Sequence, residues 1–567
     1  MIARLRQVRL SKHLVLIRAL HDAVPPGGRN HLQAGLDLLS RVRRTRPDLV
    51  ADVLGHPHVG AWAARTLRAV SGTEVPAPAL LARIGYLAAA GATAAIRAGL
   101  AFEVAVPVVD GAVQLPSLGR AVVGDGSGSS VPVRGNGRQI AVDGRTLPSD
   151  LTAEEPGWQP VRRLRAESAG VGLTVELDDL DIHRGRHGCV AAHRLDEAAV
   201  AGWQHRFADA WDLLVRHHRR QAEAISRWLV TLVPLRAGRQ THGMSATSTD
   251  AFGAVLLALP SGGRPLALTL VHEFQHGKLS VLLDLVRLHD GDPTPRYYAP
   301  WRDDPRPLGG LLHGAYAFLA VTDFWRVERA LPGGGGFADM EFARWRDGVR
   351  AAIHMLGGSG QLTEAGARFV QGMYRRMAGW HDLVVPEEAR LLARDAADDH
   401  RTAWRVRHQL PDDRSVGRYV RAWRAAEPPP ASGGGPAVVA GPPAGPGGNV
   451  RLELAGLRLQ QPARFAELVA DPALRERVAP AATAADVALA AGDYHAAVAA
   501  YRAGIAARPT DAGQWAGLAV ALRRCGRTAA STALLRQPEL VAAVHRALAA
   551  DGDPPEPDRL ATWFAVG

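Results

Sequence analysis

The apolar residues near the N-terminus recur three or four positions apart, as at Leu14, Ile17 and Leu20. Positions with this spacing share one face of a helix, so the pattern predicts a helical N-terminal region over residues 1–100. Over residues 101–195 the pattern changes to short alternating runs, such as FEVAVPVV and GLTVEL, separated by glycine-rich turns. Alternation with a period of two is typical of half-buried strands and predicts a small β-rich module.

The helical period returns at residue 196, in a segment that contains Trp203 and Phe207. Helices with one apolar face are therefore predicted to lead into a central domain, residues 196–426. Within this domain, the apolar run FGAVLLALP ends at Pro-Ser-Gly-Gly and predicts a buried strand. The next stretch, Pro265–Leu288, has a proline near its start and almost no interior breaker, which predicts a helix.

A proline- and glycine-dense segment, residues 427–449, has almost no charge and predicts a tether. The region that follows, residues 450–567, has Gly492 and Gly526 separated by 34 positions. This is the period of the tetratricopeptide repeat, so helical pairs of that type are predicted, with an unrelated helical bundle as the alternative. The whole pattern predicts a mainly α-helical α+β protein, whose centre is a helical domain between a β-rich module and a helical-repeat-like region.

Composition agrees with a folded, several-domain chain, since 47% of the 567 residues are hydrophobic and 22% are charged. The formal charge of +11 comes almost entirely from arginine, without the interleaved aromatics of a nucleic-acid surface, so we expect no nucleic-acid partner. With only two cysteines, no signal peptide and no membrane-spanning run, the sequence predicts a cytoplasmic protein without a disulfide framework or membrane contact.

The chemistry of the sequence is concentrated in VHEFQHG, which contains His272, Glu273 and His276. Positions four apart on a helix project from one face, so the two imidazoles can bind one metal ion while Glu273 points beside it. The motif lies in an otherwise apolar helix, where two unpartnered imidazoles and a carboxylate would be costly. We therefore predict a metal site with His272 and His276 as ligands.

A functional site needs at least a third protein ligand, with one position left open for water or substrate. His313 is the favoured candidate, because it lies in a predicted helix of small and apolar residues and is flanked by glycines. The alternative third ligands are Asp284, His289, Asp323 and Glu328.

The same motif is best known from zinc peptidases, in which Glu273 would act as a general base on a zinc-bound water. The longer signatures of those enzymes do not continue in this chain. Leu279 and Leu282 stand where the metzincin pattern requires Gly and His. A zinc peptidase that processes a peptide therefore remains an alternative supported by five residues only.

The segment YYAPWRDDPRP, residues 297–307, combines aromatic residues, prolines and arginines. Prolines restrict such a loop to few conformations. Arg302 and Arg306 on a rigid loop could clamp a carboxylate, as a 2-oxo acid cosubstrate would require, and Tyr298 belongs to the same candidate cosubstrate site. The alternative is that both arginines pair with Asp303 and Asp304 and only hold the loop together.

Other histidines are assigned structural roles. The sequence Ser11–His13 predicts the N-terminal cap of an amphipathic helix. His56 and His58 lie on either side of a proline where a helix is predicted to begin, and the adjacent His217 and His218 are expected on a solvated helix face.

The chain resembles the HExxH-motif peptide-modification family found beside ribosomally made precursor peptides. The segments that carry the resemblance are SKHLVLIRAL, HPHVGAWAARTLR, SATSTDAFGAVLLALP, LVHEFQHGKLSVLLDLV and YYAPWRDDPRPLGGLL, which run through roughly the first 425 residues. The resemblance implies a 2-oxoglutarate-dependent peptide β-hydroxylase whose ion is Fe(II), held by His272, His276 and one further residue. It also implies that Glu273 supports the site rather than acting as a hydrolytic base.

The resemblance makes a precursor peptide the expected substrate. The C-terminal helical region is then a candidate surface for recruiting that peptide or a protein partner. A third hypothesis is a non-catalytic maturation scaffold, in which this helical region is the active surface and the metal is structural.

Overall fold

The computed structural model describes residues 1–24, 26–72, 77–124, 129–185, 190–236, 244–431, 437–439, 450–550, 552 and 554–566. The chain divides into two compact units, Met1–Leu285 and Val286–Gly567, and each is described by itself. The described residues are mainly helical and also form three sheets, which confirms the predicted α+β class.

The first unit begins with six helices: α1 Ile2–Ala23, α2 Pro26–Arg43, α3 Pro47–Leu54, α4 Pro57–Ser71, α5 Ala77–Ile84 and α6 Tyr86–Arg97. The predicted cap at Ser11–His13 is wrong, because α1 already begins at Ile2 and these residues lie in its middle. His13 is buried there, and its Nδ1 donates to the Leu54 carbonyl at 2.9 Å.

Helix α6 is buried along most of its length, because its alanines and glycine allow neighbouring backbones to approach it closely. A Cβ on Gly91 would lie 3.0 Å from the backbone oxygen of Gly35 on α2. The stretch Ala79–Arg97 is long and apolar enough to cross a membrane, but 67% of it is buried within the protein. A core helix has the same length and composition, so this stretch is weak evidence for a membrane span.

Seven strands form an antiparallel sheet in the order β6-β5-β4-β1-β2-β3-β7. Along β1, Phe102, Val104 and Val106 face the core while the residues between them are exposed, as the alternating sequence predicts. The strands are β1 Ala101–Val109, β2 Ala112–Leu115, β3 Gly119–Val122, β4 Ser130–Asn136, β5 Ile140–Val142, β6 Arg145–Thr146 and β7 Trp158–Pro160.

A five-stranded sheet, ordered β11-β12-β10-β9-β8, completes the first unit. The elements are β8 Arg162–Ser168, β9 Val171–Leu177, α7 Glu197–His217, α8 Arg219–Ser226, β10 Thr231–Pro234, β11 Ser245–Ala246, β12 Ala254–Leu257 and α9 Gly263–Leu285. Strand β10 is parallel to both β9 and β12. Both β10 and β12 are buried throughout, as strands covered on two faces usually are.

The predicted strand in FGAVLLALP is confirmed as β12, and the predicted helix that follows it is α9, which ends three residues earlier than expected. The expectation of a solvated pair at His217 and His218 is wrong for His218, which is 9% exposed. His218 lies at the junction of α7 and α8, where its carbonyl accepts hydrogen bonds from the next helix.

The second unit is almost entirely helical in its described residues. Its elements are α10 Leu308–Glu328, α11 Gly335–Gly357, α12 Glu364–Arg376, α13 Glu387–His408, β13 Gln409–Leu410, α14 Asp413–Arg424, β14 Ala437–Val438, α15 Val450–Gln460, α16 Pro462–Ala470, α17 Pro472–Val478, α18 Ala484–Ala491, α19 Tyr494–Ala507, α20 Ala512–Arg524, α21 Thr528–Arg536, α22 Pro538–Ala550 and α23 Pro557–Phe564.

This division differs from the predicted one, because the C-terminal helices share a core with α13 and α14. Tyr419 of α14 packs in one apolar cluster with Tyr501, Trp515 and Phe564, and its ring stacks on Phe564 at 4.9 Å. The side chains that close this core come from both sides of the predicted tether, most of which lies outside the described residues. The helices after residue 450 therefore belong to the same compact unit as the helices from residue 308 onward.

The predicted 34-residue spacing coincides with two helical pairs, α18 with α19 and α20 with α21. Gly492 and Gly526 each lie where the first helix of a pair ends, with φ of +89° and +74°. Glycine adopts this left-handed conformation without a steric cost. Cys525 is a free cysteine beside the second of these turns, and Cys189 lies outside the described residues.

Candidate metal centre

The two histidines of the motif converge on the surface of α9. The Nε2 atoms of His272 and His276 are 3.1 Å apart, and the ring planes meet at 76°. Two imidazole nitrogens about 2.1 Å from one ion, at an angle between octahedral and tetrahedral, are about 3.0–3.4 Å apart. The observed separation fits chelation of a single metal ion, and it also fits a hydrogen bond between the two rings when no ion is bound.

Burial determines the protonation of His272. Desolvation lowers the pKa of His272 to about 4. The imidazole is therefore neutral near pH 7, which is the form in which histidine binds a metal. The chemistry of the donor set thus suits a divalent transition metal, with imidazole ligands preferred by iron, zinc and copper.

Glu273 has a different environment from the histidines on either side of it. Its side chain is buried, with 2% of the residue exposed, and Oε1 accepts a hydrogen bond of 2.7 Å from the hydroxyl of Ser245. Ser245 lies on the short strand β11, which pairs with β12. The sequence provides no local signal for this partner, because it is 28 positions away on another element.

The side of α9 that faces the core is held by aromatic packing. A Cβ on Gly277 would lie 2.9 Å from Nε1 of Trp228, so the glycine next to His276 allows the indole to lie directly against the helix. The Trp228 ring also packs on Phe274 and Phe252, with centroids 5.2 and 6.4 Å away. These contacts fix the rotation of α9 and therefore the direction of the two imidazoles.

Asp284 and Asp323, two of the alternative third ligands, are held by cations. Asp284 accepts a hydrogen bond of 2.6 Å from Lys12 and lies 3.3 Å from the buried Arg9. In the second unit, Asp323 pairs with Arg326 and Arg376, each at 2.8 Å. The first set of ion pairs joins α9 to α1, and the second joins α10 to α12.

His313 lies on α10 of the second unit and is half-buried. Burial lowers its pKa to about 4, with smaller contributions from His289 and Arg306, so this ring is also neutral near pH 7. His289 lies against the start of α10, within 2.9 Å of where a Cβ on Gly309 would be. Glu328, near the end of α10, is fully buried.

The predicted ligands are thus divided between the two units, with His272 and His276 in the first and His313 in the second. Within the described parts of the chain, no group of three or more His, Cys, Asp or Glu side chains is arranged to hold a metal ion. The structure therefore brings two histidines together on α9, and both the metal ion and its third ligand stay predictions.

Residues 297–307 form a closed loop, which we call the strap. Backbone hydrogen bonds of 2.9 Å join Tyr297 and Arg306 in both directions. Trp301 stacks on Phe318 of α10 with centroids 4.8 Å apart. The same indole lies so close to Gly314 that a Cβ there would be 2.2 Å from its Nε1. The strap is therefore packed along the segment of α10 that contains His313.

The two arginines of the strap share one carboxylate. Nε of Arg302 donates to Asp304 at 2.8 Å, and Nη1 of Arg306 donates to the same side chain at 3.1 Å. Burial opposes the charge of Asp304, but these arginines outweigh it and lower its pKa. The pairing of both arginines with Asp304 is the loop-holding alternative that the sequence left open. Asp303 does not take part in it, since it pairs with His400 and lies 3.7 Å from Arg407.

Tyr298, the third candidate for cosubstrate binding, points its hydroxyl at Nδ1 of His400, 2.8 Å away. Its ring packs against Trp404 of α13 with centroids 5.3 Å apart. Burial raises the pKa of Tyr298, so the hydroxyl stays neutral. The strap therefore connects α10 to α13 through this tyrosine.

The structural role predicted for His56 and His58 agrees with their contacts in the first unit. His56 pairs with Glu176 and His58 with Asp178, each at 2.9 Å, and all four residues are at most 9% exposed. Burial opposes the charge of His58, but Asp181 and Asp178 outweigh it and raise its pKa. These pairs join the start of α4 to the end of β9.

Comparison with known proteins adds no family assignment. No protein-family model matches the chain, and no curated protein matches it in a sequence search. The chemical interpretation of the half-site therefore depends on its own residues, together with the motif resemblance described from the sequence.

Proposed function

We propose that this protein is an Fe(II)- and 2-oxoglutarate-dependent hydroxylase that acts on the β-carbon of a side chain in a ribosomally synthesised precursor peptide. The observation that carries the proposal is the pair of Nε2 atoms, of His272 and His276, 3.1 Å apart on α9. Two cis imidazoles are what an iron site needs from one helix when other positions must stay open for a cosubstrate and O2. The peptide substrate is taken from the resemblance.

The role of Glu273 distinguishes this proposal from a zinc peptidase. A hydrolytic base must reach a metal-bound water. Glu273 is buried, and its Oε1 is engaged by Ser245 at 2.7 Å. In the proposed enzyme, Glu273 supports α9 from the protein interior, and partners of this kind orient metal-binding histidines.

When bound, Fe(II) supplies the activation of O2. Each turnover consumes one C–H bond, one O2 and one 2-oxoglutarate, and yields one C–OH, one succinate and one CO2. One oxygen atom enters the new hydroxyl group and the other enters the carboxylate of succinate. The protein's part is to hold the two imidazoles in a fixed direction, which the packing of Trp228 against Gly277 supports.

The strap and the C-terminal helices take supporting roles in this proposal. Arg302 and Arg306 both pair with Asp304, so their positive charge is partly neutralised and attracts a 2-oxo acid less strongly. We therefore assign their main role to maintaining the conformation of the strap. The two helical pairs from α18 to α21 are the proposed surface for recruiting the precursor peptide or a protein partner, as in other helical-repeat proteins.

The proposal is tested by loading the full chain anaerobically with Fe(II) and adding 2-oxoglutarate, O2 and a short precursor peptide encoded beside the gene. We expect the mass of the peptide to increase by one oxygen atom, together with an equal amount of succinate. Peptide fragments formed without 2-oxoglutarate would instead identify a zinc peptidase. A protein that binds metal but neither modifies nor cleaves the peptide would support the scaffold hypothesis.

Variants separate the roles within the motif. His276→Ala should abolish both Fe(II) binding and hydroxylation, because it removes one of the three proposed protein ligands. Glu273→Gln preserves the hydrogen-bond acceptor for Ser245, so Fe(II) binding and hydroxylation should persist, whereas a peptidase would lose its base. His205→Ala is the matched control, since His205 is exposed on α7 and pairs with Asp209 of its own helix. Stoichiometric Fe(II) in His276→Ala would refute the half-site.

A further inference from the structure

A cleft in the second unit, between the start of the strap and α13, holds positive charge over an aromatic floor. It encloses about 300 Å³, which is at the lower end of the range for ligand-binding sites. We call it the arginine cleft, and the lining residues that matter here are Arg296, Tyr297, Tyr298, Arg401, Trp404 and Arg405.

The three arginines differ in how their charge is balanced. Arg296 pairs with Asp292, and Arg405 pairs with Glu539 at 2.5 Å. Arg401 is exposed, and within the described parts of the chain no carboxylate forms an ion pair with it. Arg401 and Arg405 are one helical turn apart on α13 and both line the cleft. The guanidinium of Arg405 is engaged by Gln409, the Arg536 carbonyl and Glu539, so Arg401 is the α13 arginine whose charge is left for a ligand.

The floor of the cleft is rigid and uncharged. Trp404 is 3% exposed and packs edge-on against Tyr298, whose hydroxyl is engaged by His400. Tyr297 is held through its hydroxyl, which donates to Gln361 at 3.2 Å, and through its backbone pairing with Arg306. The half-buried rings of Tyr297 and Tyr298 therefore form the accessible aromatic surface of the cleft without adding negative charge, and the buried Trp404 supports Tyr298.

We propose that the arginine cleft binds an acidic side chain of the peptide substrate, with a neighbouring aromatic residue of that peptide lying against the rings of Tyr297 and Tyr298. An arginine without an internal partner recognises a carboxylate through paired hydrogen bonds. Aromatic rings and guanidinium groups together suit a carboxylate beside a planar apolar group. The proposal relies on the proposed function only for the statement that the ligand is the substrate peptide.

The position of the charges favours a peptide over a free small acid. A small cosubstrate is normally enclosed, with most of its surface buried. Here Arg296 and Arg401 line the cleft and are exposed to solvent, whereas Trp404 is buried. An extended peptide can insert one carboxylate into such an open cleft while the rest of the chain stays outside.

Binding can be measured separately from catalysis. The full-length protein, without metal or 2-oxoglutarate, is titrated against a short fluorescein-labelled peptide of alternating Glu and Tyr, and fluorescence anisotropy is recorded. The control peptide has Gln in place of every Glu. We expect the Glu peptide to bind more tightly, and its affinity to fall as salt is added, since exposed charges are screened.

Two exposed arginines of α13 provide matched variants. Arg401→Gln should weaken binding of the Glu peptide roughly tenfold, the effect of losing one charge-assisted contact. Arg390→Gln removes the same charge from the same helix, but Arg390 pairs with Glu387 away from the cleft, so affinity should change less than about twofold. Both changes are at exposed positions, and circular dichroism checks that the helices remain.

Three results would overturn the assignment. The first is equal affinity for the Glu and Gln peptides, and the second is unchanged binding by Arg401→Gln. The third is displacement of the Glu peptide by an equimolar amount of 2-oxoglutarate, which would identify a small-acid site instead. Because the titration contains no iron, a failure of hydroxylation leaves it unaffected, and the two proposals fail separately.

Discussion

Replacing Gly314 by alanine tests whether the strap is seated on α10 as described. The new Cβ would lie 2.2 Å from Nε1 of Trp301, whereas ordinary contacts of this kind begin at 3.4 Å. The indole would have to retreat by the difference, about 1.2 Å. Its ring also stacks on Phe318, one turn further along the same helix, so a retreat of the indole from α10 would disturb that stack and displace the strap.

The expected cost follows from two opposing effects. Overpacking of a rigid contact costs about 1–3 kcal/mol, and alanine is about 1 kcal/mol more favourable than glycine inside a helix. Gly314→Ala should therefore lower the free energy of unfolding of the second unit by up to about 2 kcal/mol. Gly372→Ala, within α12, is the matched control, because nothing lies within 4 Å of where its Cβ would be. That control should gain about 1 kcal/mol from the same helix propensity.

Urea unfolding followed by circular dichroism measures the change in free energy of unfolding for each variant. The midpoints of thermal unfolding of the two variants should differ by several degrees. Hydrogen exchange of the strap amides locates the effect, since displacement of Trp301 should loosen the backbone pairing of Tyr297 with Arg306. If Gly314→Ala proves as stable as Gly372→Ala and the strap exchanges no faster, Trp301 does not occupy the position described.

Three further predictions concern buried polar groups. Ser245→Ala should reduce the hydrogen-exchange protection of α9 by about 1.5–3 kcal/mol, because Glu273 loses its hydrogen-bond donor, and the loss should vanish in a Glu273→Leu background. The pKa of His13 is lowered to about 4 by burial, so the unfolded chain takes up the proton first. The stability that neutral His13 contributes is therefore complete above about pH 6.5 and is lost as the pH falls towards 4. When the free energy of unfolding is measured in urea at pH 7 and pH 5, it should change less with pH in His13→Leu than in the wild type. Arg451→Met should lower the free energy of unfolding by about 3 kcal/mol or more, because it leaves Asp399 and Asp486 buried without their shared partner. Proteolysis between α14 and α15 should then be faster, and cleavage at the wild-type rate would count against the shared core.

The sequence by itself determined the features that depend on local periodicity. The four-residue spacing of His272 and His276 brings their Nε2 atoms together, because both positions lie on one face of any α-helix. The alternation along FEVAVPVV likewise determined which side chains of β1 are buried. The spacing of Gly492 and Gly526 predicted two equivalent turns, since each helical pair needs one residue in the left-handed conformation.

Other features were decided only by which surfaces meet in three dimensions. Ser245 became the partner of Glu273 because β11 lies beside α9, and Asp304 accepted both strap arginines although Asp303 was an equal candidate in the sequence. The C-terminal helices pack on α13 and α14 because both sides bury an apolar face there, which a proline-rich segment between them does not prevent. Such pairings join residues tens to hundreds of positions apart, and their energy depends on shape and desolvation at the contact rather than on any periodic signal along the chain.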